Sequence, residues 1–539
     1  MKDISSTGSF INFYLNNYIY VDKTKYIRDL IKLERVFISR PRRFGKSLTL
    51  DTIATLFESG VEPYFKGTWI YDKWTEPTYP VLRLNFLDLD KYSLEHFKQK
   101  LNAIISSFAR DINVKNYEEK VEPEDTIYFL LDELRKEKRQ IVILIDEYDC
   151  QMTANINNET LYKQFQEKIK SFYATIKNKW PIKFLGITGV TRLKDVEIFS
   201  IGSDIRDITN ASAYSQMIGF TRDEIKKYYI DYLKLASSYE NNCSVDNVTD
   251  EQIESMLDMI AQNYDGYCFD EFYKKKVFST WSVNSFFQSI IENKFVDFGD
   301  YWYDNGGLPS ILVNYLKTHK LNSLDYVEKD KTITIRVNDF KNPTSLTSIN
   351  QNVLMCQTGY LTLRSPVYSK GFMTLGIPSS EVYNALLSLM ALNIFDDTKL
   401  ENVNEQILSQ SKDVGEIIEL FNTVLNTVSY DNYPISSEAV VQQLLYMYLK
   451  GICNSVSAEL HSSKGRADLV IESDNRRIVF EFKYAKNEIE AKVKLSEAIE
   501  QIKTRDYGNI VPKKAELLRI AAVFNADPKV RAFTEYHEV

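Results

Sequence analysis

Residues 35–58 read RVFISRPRRFGKSLTLDTIATLFE, and this stretch decides the fold class of the N-terminal part of the chain. The run from Arg35 to Ser39 is short and mostly apolar, as a buried β-strand is, and a helical pattern extends from Ser47 to Glu58. The basic loop between them ends in Gly-Lys-Ser. A strand, such a loop and a helix in this order are typical of a phosphate-binding loop.

The loop carries the residue types that triphosphate binding requires. Gly45 lets the backbone approach a phosphate, Lys46 offers a charge to the β- and γ-phosphates, and the Ser47 hydroxyl can ligate Mg²⁺. The general pattern begins with glycine where this sequence has Arg40, so a basic loop that contains Gly-Lys-Ser by chance is the alternative. We predict that ATP contacts the loop and the start of the helix: Arg40, Pro41, Arg42, Arg43, Phe44, Gly45, Lys46, Ser47 and Leu48.

A second motif follows the most apolar strand candidate, residues 140–145. This run ends in Asp146-Glu147, the arrangement of a Walker B motif. We expect Asp146 to hold Mg²⁺ through water and Glu147 to orient the attacking water. A pair of solvated carboxylates is the alternative, but the order of the two motifs favours nucleotide binding.

Polar residues farther along the chain are candidates for sensing the γ-phosphate. Thr188 and Thr191 end the next strand candidate, and either is equally a turn residue. Three arginines are candidate arginine fingers, acting in cis or from a neighbouring subunit: Arg192, Arg206 and Arg222. A finger in trans would require a homo-oligomer, and the sequence does not choose among the three.

Strand-like runs at 35–39, 81–86, 140–145 and 182–187 alternate with helical patterns such as 94–110 and 161–178. This alternation predicts an α/β domain with a mainly parallel sheet, whose strands are covered on both faces. From Thr221 the pattern becomes helical, and Thr221 to Glu224 forms a capping-box sequence. We predict an ATPase domain over 1–220, a helical and mixed middle region over 221–430, and a separate α/β domain over 431–539.

Composition bounds the class of protein. The chain has 539 residues, a net charge of -8 and 44% hydrophobic residues, which excludes a largely disordered chain. Five cysteines lie far apart, so a disulfide framework or a zinc module is not expected and a reducing cytoplasm fits. The start lacks the pattern of a signal peptide, and no apolar run of about 18 residues predicts a membrane span.

The C-terminal part brings charged residues onto apolar strands. Its pattern is a helix, three strands, a helix and a final strand at 517–524. Asp468 lies on one strand, and Glu481 and Lys483 share one face of the next because they are two residues apart. The carboxylates can hold Mg²⁺, or Mn²⁺, and Lys483 can position or deprotonate a water. The alternative is a hairpin with solvated charges.

The charge of this part suits a phosphodiester. Residues 457–539 contain 15 basic and 14 acidic residues, so the segment is relatively basic within an acidic chain. This balance is compatible with a nucleic-acid partner, DNA or RNA, which is the partner that the family resemblance described below implies.

Several motifs together resemble the AAA-ATPase-like domain family of bacterial proteins. They are YVDKT (20–24), RPRRFGKSLTL (40–50), ILIDEYD (143–149), ITGVTRL (187–193), GFT (219–221), YDGY (264–267), QTGYL (357–361) and LGIP (375–378). In that family an arginine-rich RPRRFGKS loop is usual, so Arg40 is no departure from it. The resemblance covers essentially the whole chain and implies an ATPase fold.

The C-terminal residues resemble the PD-(D/E)XK nuclease superfamily, with a restriction-endonuclease-like α/β fold. The resemblance implies that Asp468, Glu481 and Lys483 are catalytic and that Glu459 adds a metal ligand. It also implies an accessory role for Gln501 and Tyr507 and a helix carboxylate at Glu438. Ala467 stands where the superfamily often has proline.

Two classes of function remain open. The first is an ATP-dependent nuclease, in which the ATPase gates or drives a metal-dependent phosphodiesterase. The second is an ATP-regulated switch that binds nucleic acid or protein without cleaving it. A pair of structural domains with vestigial sites is a third interpretation, which would make every motif coincidental.

Overall fold

The computed structural model describes most of the chain. The described residues are 1–177, 179–193, 204–304, 310–316, 319, 326, 329–343, 345–368, 371–395, 406–428, 434–452, 456–462, 465–473, 476–505 and 516–539. They divide into two compact units. The first comprises residues 1–321 and 329–383, and the second comprises 322–328 and 384–539.

A five-stranded parallel sheet organises the first unit. Its strands are β1 (Arg35–Ser39), β2 (Val81–Asn85), β3 (Ile141–Asp146), β4 (Ile182–Gly189) and β5 (Arg206–Asp207), in the order β2-β3-β4-β1-β5. Every neighbouring pair is parallel. All residues of β1 are buried, as are Ile141 to Ile145 of β3, because helices cover both faces. The predicted parallel sheet is confirmed.

The carboxyl ends of β1, β3 and β4 meet at one edge of this sheet, where the predicted loop and acidic residues lie. Helices connect the strands in the expected alternation. Before β5 they are α1 (Phe10–Leu15), α2 (Thr24–Ile31), α3 (Lys46–Ser59), α4 (Leu94–Asp111), α5 (Pro123–Lys136), α6 (Cys150–Ala154) and α7 (Glu159–Ile176).

After β5 the first unit becomes mainly helical. The helices are α8 (Arg222–Tyr228), α9 (Ile230–Glu240), α10 (Asp250–Tyr264), α11 (Thr280–Asn293), α12 (Tyr301–Asp304), α13 (Ser310–Leu316), α14 (Val337–Lys341) and α15 (Gln351–Thr358). A small antiparallel sheet orders β6 (Ile333–Arg336), β8 (Phe372–Gly376) and β7 (Thr362–Leu363) with β8 in the centre. The predicted capping box is present at the start of α8, between Thr221 and Glu224.

α16 (Ser380–Ile394) begins in the first unit and ends in the second. The second unit continues with α17 (Gln406–Gln410), α18 (Val414–Asn426), α19 (Glu438–Ile452), β9 (Val456–Ser462), β10 (Gly465–Ser473), β11 (Arg476–Ala485), α20 (Glu488–Arg505), β12 (Glu516–Asn525) and β13 (Ala532–Glu538). Its sheet order is β13-β12-β11-β10-β9, with only β11 and β12 parallel.

The order of elements in the second unit agrees with the predicted helix, three strands, helix and strand. The edge strand β13 is not among the elements predicted from the sequence, and most of its residues are exposed or partly exposed. No helix in the described ranges combines the length and the apolar character that crossing a membrane requires. The predicted domain boundaries at 220 and 430 stay predictions.

Candidate functional sites

The loop of residues 40–45 joins β1 to α3. Gly45 adopts φ 99° and ψ 25°, and Arg43 also has a positive φ, of 67°. The left-handed region favours glycine, so the Gly45 conformation explains why this position carries no side chain. The turn folds the loop over the N-terminus of α3, where unpaired backbone N–H groups favour an anion.

Lys46, the first residue of α3, is buried at this point. Its ammonium donates to the Arg40 and Pro41 carbonyl oxygens at 3.1 and 3.2 Å. The same nitrogen lies 3.6 Å from Oε1 of Glu147. The lysine and the second predicted acid therefore meet although 101 positions separate them, because β1 and β3 end at the same sheet edge.

Asp146 joins the ends of two strands to the start of α3. Its Oδ2 accepts from Ser47 Oγ at 2.5 Å, and its Oδ1 accepts from the hydroxyl of Thr188. The structure thus brings together the predicted site residues Ser47, Asp146 and Thr188. Hydroxyl and carboxylate oxygens are the donors that Mg²⁺ prefers, so these residues fit that cation.

Tyr148 and Asp149, which follow Asp146-Glu147, hold the end of β4 in place. The buried Asp149 carboxylate accepts from the Thr191 amide at 2.6 Å and from the Thr191 hydroxyl at 2.5 Å. Burial raises the pKa of Asp149, and the charge of Glu147 adds to this rise. Tyr148 donates to the Thr191 carbonyl oxygen at 3.1 Å. Thr191 is therefore part of the support of this edge.

Arg40 points away from the loop interior. Its guanidinium is 1% exposed, donates to the Ser39 and Thr209 carbonyl oxygens, and lies 4.1 Å from the centre of the Phe269 ring. Burial lowers the pKa of Arg40 to about 9. The prediction counted Arg40 among the nucleotide contacts. Here its carbonyl oxygen faces Lys46, whereas its side chain anchors the loop to the elements behind it.

Residues far along the chain support the loop from outside. The Thr280 hydroxyl donates to the Arg43 carbonyl oxygen at 2.9 Å, and the Arg43 guanidinium stacks 4.4 Å from the centre of the Trp281 ring. Pro41 packs so closely on Gly359 that a Cβ there would lie 2.8 Å from the proline Cβ. The QTGYL motif therefore supports the loop through Gly359, and YDGY does so through Tyr267, whose ring centre lies 4.7 Å from that of Phe44.

A cavity of about 740 Å³ opens beside the loop. Residues 42–48 line it, with Glu147 at the same end as Lys46. Other parts of its wall include residues 5–8, 19–21 and 217–220, together with Lys91 and Trp281. Arg40, Pro41, Asp146 and Thr188 are not lining residues, although Asp146 bonds to the lining residue Ser47.

The three predicted arginine-finger candidates lie outside this lining. Arg192 pairs with Asp207, and Arg222 pairs with Glu254 and Asp258 at 2.7 Å each. Arg206 is exposed on β5. Within this chain, then, none of the three contributes to the wall of the cavity.

In the second unit, β10 and β11 bring the predicted carboxylates together. They are antiparallel, with Leu469 opposite Phe480, so Asp468 follows opposite Glu481. The Asp468 carboxylate accepts from the Phe482 amide at 2.7 Å, and its carbonyl oxygen accepts from Gln442 at 2.6 Å. This register holds the acids on one face of the sheet.

Glu481 is fully buried beside Lys483. The Lys483 ammonium lies 2.8 Å from Glu481 Oε1 and 3.2 Å from an oxygen of Glu438, at the start of α19. Glu481 Oε2 is buried and has no hydrogen-bond partner in the described structure. The pKa of Glu481 is raised to about 7, because burial and the charge of Asp468 together outweigh the lowering effect of Lys483.

The charge state of Lys483 favours one of its two predicted roles. Burial lowers its pKa, but the hydrogen bond to Glu481 and the nearby carboxylates outweigh burial, and the net shift is upward. A lysine that keeps its proton can orient a water or stabilise negative charge, and it is a poor general base.

Other predicted residues of this site are placed by the backbone alone. The pairs Leu460–Ala467 and Ala458–Leu469 set Glu459 opposite Asp468, and the Glu459 side chain is not among those described. Gln501 lies on α20 next to Ile502, which packs against Val479. Tyr507 lies outside the described residues. No three described His, Cys, Asp or Glu side chains converge as a ready metal site.

Comparison with known proteins identifies both parts of the chain. Residues 5–199 match the family described as "Predicted AAA-ATPase", and residues 436–533 match the PD-(D/E)XK nuclease superfamily. The chain carries an AAA-ATPase-like domain and a PD-(D/E)XK superfamily domain. Both resemblances read from the sequence are confirmed.

A relative spans almost the full length. It is described as "Uncharacterized protein in vnfD 5'region" of Azotobacter chroococcum mcd 1, and is 25% identical over 95% of this chain and 94% of the relative. Among solved structures, Cdc6p of Pyrobaculum aerophilum covers 68% of this chain and 92% of its own, at 12% identity and a TM-score of 0.23. That score is too low to support a conclusion.

The sequence motifs missed part of the cavity wall beside the AAA-ATPase-like domain. In the sequence YVDKT is only a mark of the family resemblance, whereas in the structure Tyr20, Val21 and Lys23 line the cavity. Asp22 accepts from the Trp69 amide at 2.6 Å, and the buried Lys23 bonds the Glu224 carboxylate and the Gln216 carbonyl oxygen. Lys91 and residues 5–8 belong to no motif, so no local signal pointed to them.

In the PD-(D/E)XK domain, the residues fit a divalent cation. The buried Glu481 oxygen without a partner and the neighbouring Asp468 carboxylate are a costly arrangement unless a cation compensates their charge. Glu438 is an additional residue that the structure brings to this site, as the resemblance implied.

Proposed function

We propose that the protein binds and hydrolyses ATP at the loop of residues 40–48. The observation that carries this proposal is the junction of Ser47, Asp146 and Thr188, beside the Lys46–Glu147 pair. Lys46 would leave the loop carbonyls to bind the β- and γ-phosphates, and Glu147 would orient water at the γ-phosphate. Mg²⁺, when bound, neutralises phosphate charge, and Ser47 and Asp146 would hold it.

The same proposal gives the PD-(D/E)XK domain a metal-dependent nuclease activity. It rests on the buried Glu481 oxygen that lacks a partner, beside Asp468 and the protonated Lys483. Asp468 and Glu481, with Glu459, would hold Mg²⁺ or Mn²⁺, which stabilises charge on the scissile phosphate. Lys483 would orient the attacking water through its ammonium group. Gln501 would position the substrate backbone.

We further propose that ATP controls this cleavage. Two sites on one chain, one for a nucleotide and one for a phosphodiester, make a gated nuclease the function that uses both. The substrate is a nucleic acid.

The test is cleavage of labelled single- and double-stranded DNA and RNA with Mg²⁺ or Mn²⁺, with and without ATP. Wild type is compared with Asp468→Ala and Lys46→Ala. We expect cleavage by wild type, loss in Asp468→Ala, and loss of the ATP effect in Lys46→Ala. Intact substrates under every condition would overturn the nuclease and favour the ATP-regulated binding switch instead.

A further inference from the structure

We propose that Lys91 contacts the terminal phosphate of the bound nucleotide and so distinguishes a triphosphate from a diphosphate. This inference rests on the proposed ATP site and adds to it a residue that no sequence motif indicates. Lys91 lines the cavity together with Lys46, Ser47 and Glu147. It follows β2, at the same sheet edge where β1 and β3 end.

The position of Lys91 is fixed by buried amide side chains. Asn155, 3% exposed, donates from Nδ2 to the Lys91 carbonyl oxygen at 2.6 Å and to the Gln151 carbonyl oxygen at 2.8 Å. Gln151 is fully buried and donates to the Phe86 carbonyl oxygen at 2.7 Å. These amides tie residues 86–91 to the segment that follows Glu147, so the backbone of Lys91 is held in place relative to that segment.

The Lys91 ammonium is available for a ligand. In the described part of the chain it has no ion pair and no hydrogen bond, and the same holds for the Arg42 guanidinium. Both cations lie close enough to Cys150 to affect its pKa. Burial raises the pKa of Cys150 to about 11, whereas Lys91 and Arg42 each act to lower it. Two cations facing a cavity without carboxylate partners are suited to a polyanion.

Lys91 supplies what the arginine-finger candidates do not. Arg192 and Arg222 are ion-paired elsewhere, and Arg206 does not line the cavity. An ammonium on the cavity wall that also carries Lys46 and Glu147 is suited to pair with the γ-phosphate oxygens of a bound nucleotide. ADP lacks that group, so the contact with Lys91 is specific to the triphosphate.

The experiment measures the Kd for ATP and for ADP and the rate of ATP hydrolysis. It compares full-length wild type with Lys91→Met, Lys91→Arg and the control Lys100→Met. Lys100 is exposed on α4 and does not line the cavity. Lys100→Met therefore removes the same charge as Lys91→Met, but away from the proposed site. We expect Lys91→Met to raise the Kd for ATP about tenfold and the Kd for ADP by a factor below about three. A tenfold change corresponds to the loss of one charged hydrogen bond. Lys91→Arg should restore most of the difference, and Lys100→Met should match wild type.

Equal weakening of ATP and ADP in Lys91→Met, or no weakening, would overturn the role of Lys91. Thermal melting of all three variants is the control for folding. A Tm of Lys91→Met equal to that of wild type excludes misfolding as the cause of weaker binding. A wild type that binds neither nucleotide would instead refute the proposed ATP site itself, which separates the two failures.

Discussion

Each unit contains a lysine beside a glutamate, and the two pairs are built differently. Lys46 and Glu147 come from separate elements, lie 3.6 Å apart, and Lys46 also holds two loop carbonyls. Lys483 and Glu481 are two residues apart on β11 and lie 2.8 Å apart. Sheet topology makes the first pair, whereas the alternation of a single strand makes the second.

The difference also concerns what surrounds each pair. The cavity beside Lys46 is lined by several cations, including Arg42 and Lys91, which suits an anionic ligand. Around Lys483 the excess is acidic, with Glu438, Asp468 and Glu481, which suits a cation. The charges beside Lys46 therefore suit phosphate groups, and those around Lys483 suit a metal ion that could in turn contact a phosphate.

The largest effect expected is a separation of the two activities by single substitutions. Glu481→Gln should reduce cleavage by roughly a hundredfold or more and leave ATP turnover unchanged, because it removes one charge from the metal site only. Lys46→Ala should abolish ATP turnover. Parallel cleavage and ATPase assays on both variants measure this. Loss of ATP turnover in Glu481→Gln would break the division of roles between the two pairs.

A second prediction concerns pH and divalent cations. Glu481 has a pKa raised from 4.5 to about 7, so the fold binds more protons than the unfolded chain between these values. The stability that this group contributes is therefore present at low pH and declines as pH rises toward 7. A cation needs the ionised carboxylate, so Mn²⁺ should raise Tm more at about pH 8 than at about pH 6.

The difference between the two Tm shifts should reach at least about 2 °C, measured by calorimetry. Glu481→Gln serves as the control, because it cannot titrate and should remove most of the pH dependence. A Tm shift of equal size at both pH values would show that Glu481 does not bind the cation.

A third prediction tests the support of the first pair. Gly359→Ala should destabilise the first unit, because φ is 95° there and the new Cβ would lie 2.8 Å from Pro41. Gly371→Ala is a matched control with a φ of 98° and no neighbouring atom within 4 Å. We expect the first variant to lose about 1–3 kcal/mol more than the second, as overpacked sites do.

Chemical denaturation measures both variants, and ATP affinity is measured on each at a temperature where it is folded. Displacement of Pro41 should weaken ATP binding in Gly359→Ala alone. If the two substitutions lower the free energy of unfolding equally, the contact with Pro41 adds nothing to the backbone strain at Gly359.

The smallest effect is expected at Arg222. Arg222→Ala removes partly exposed ion pairs with Glu254 and Asp258, so stability should change by at most about 1 kcal/mol. ATP hydrolysis by the protein should stay at the wild-type rate, because this side chain does not line the cavity. A large loss of hydrolysis in steady-state assays would restore Arg222 as a finger and point to a neighbouring subunit.

Local patterns in the sequence determined much of this protein. The run of residues 35–39, the Gly45 turn and the apolar strand ending at Asp146 each follow from composition and period over a few residues. Because parallel strands present their carboxyl ends at one edge, the approach of Lys46 to Glu147 followed as well. The hairpin of β10 and β11 fixed Asp468 opposite Glu481 for the same kind of reason, since a register is a local property.

Only the tertiary structure decided the rest. The direction of the Arg40 side chain, the stacking of Arg43 on Trp281 and the position of Lys91 at the cavity depend on residues that are distant in the sequence. Arg40 and Phe269 are 229 positions apart, and Arg43 and Trp281 are 238 positions apart. Lys91 is 45 positions from Lys46, with which it lines the cavity. No periodicity records which distant surface a side chain will meet. Those contacts depend on how the packed elements fill space together. Local sequence patterns therefore predict the motifs of a site but not the distant residues that line it.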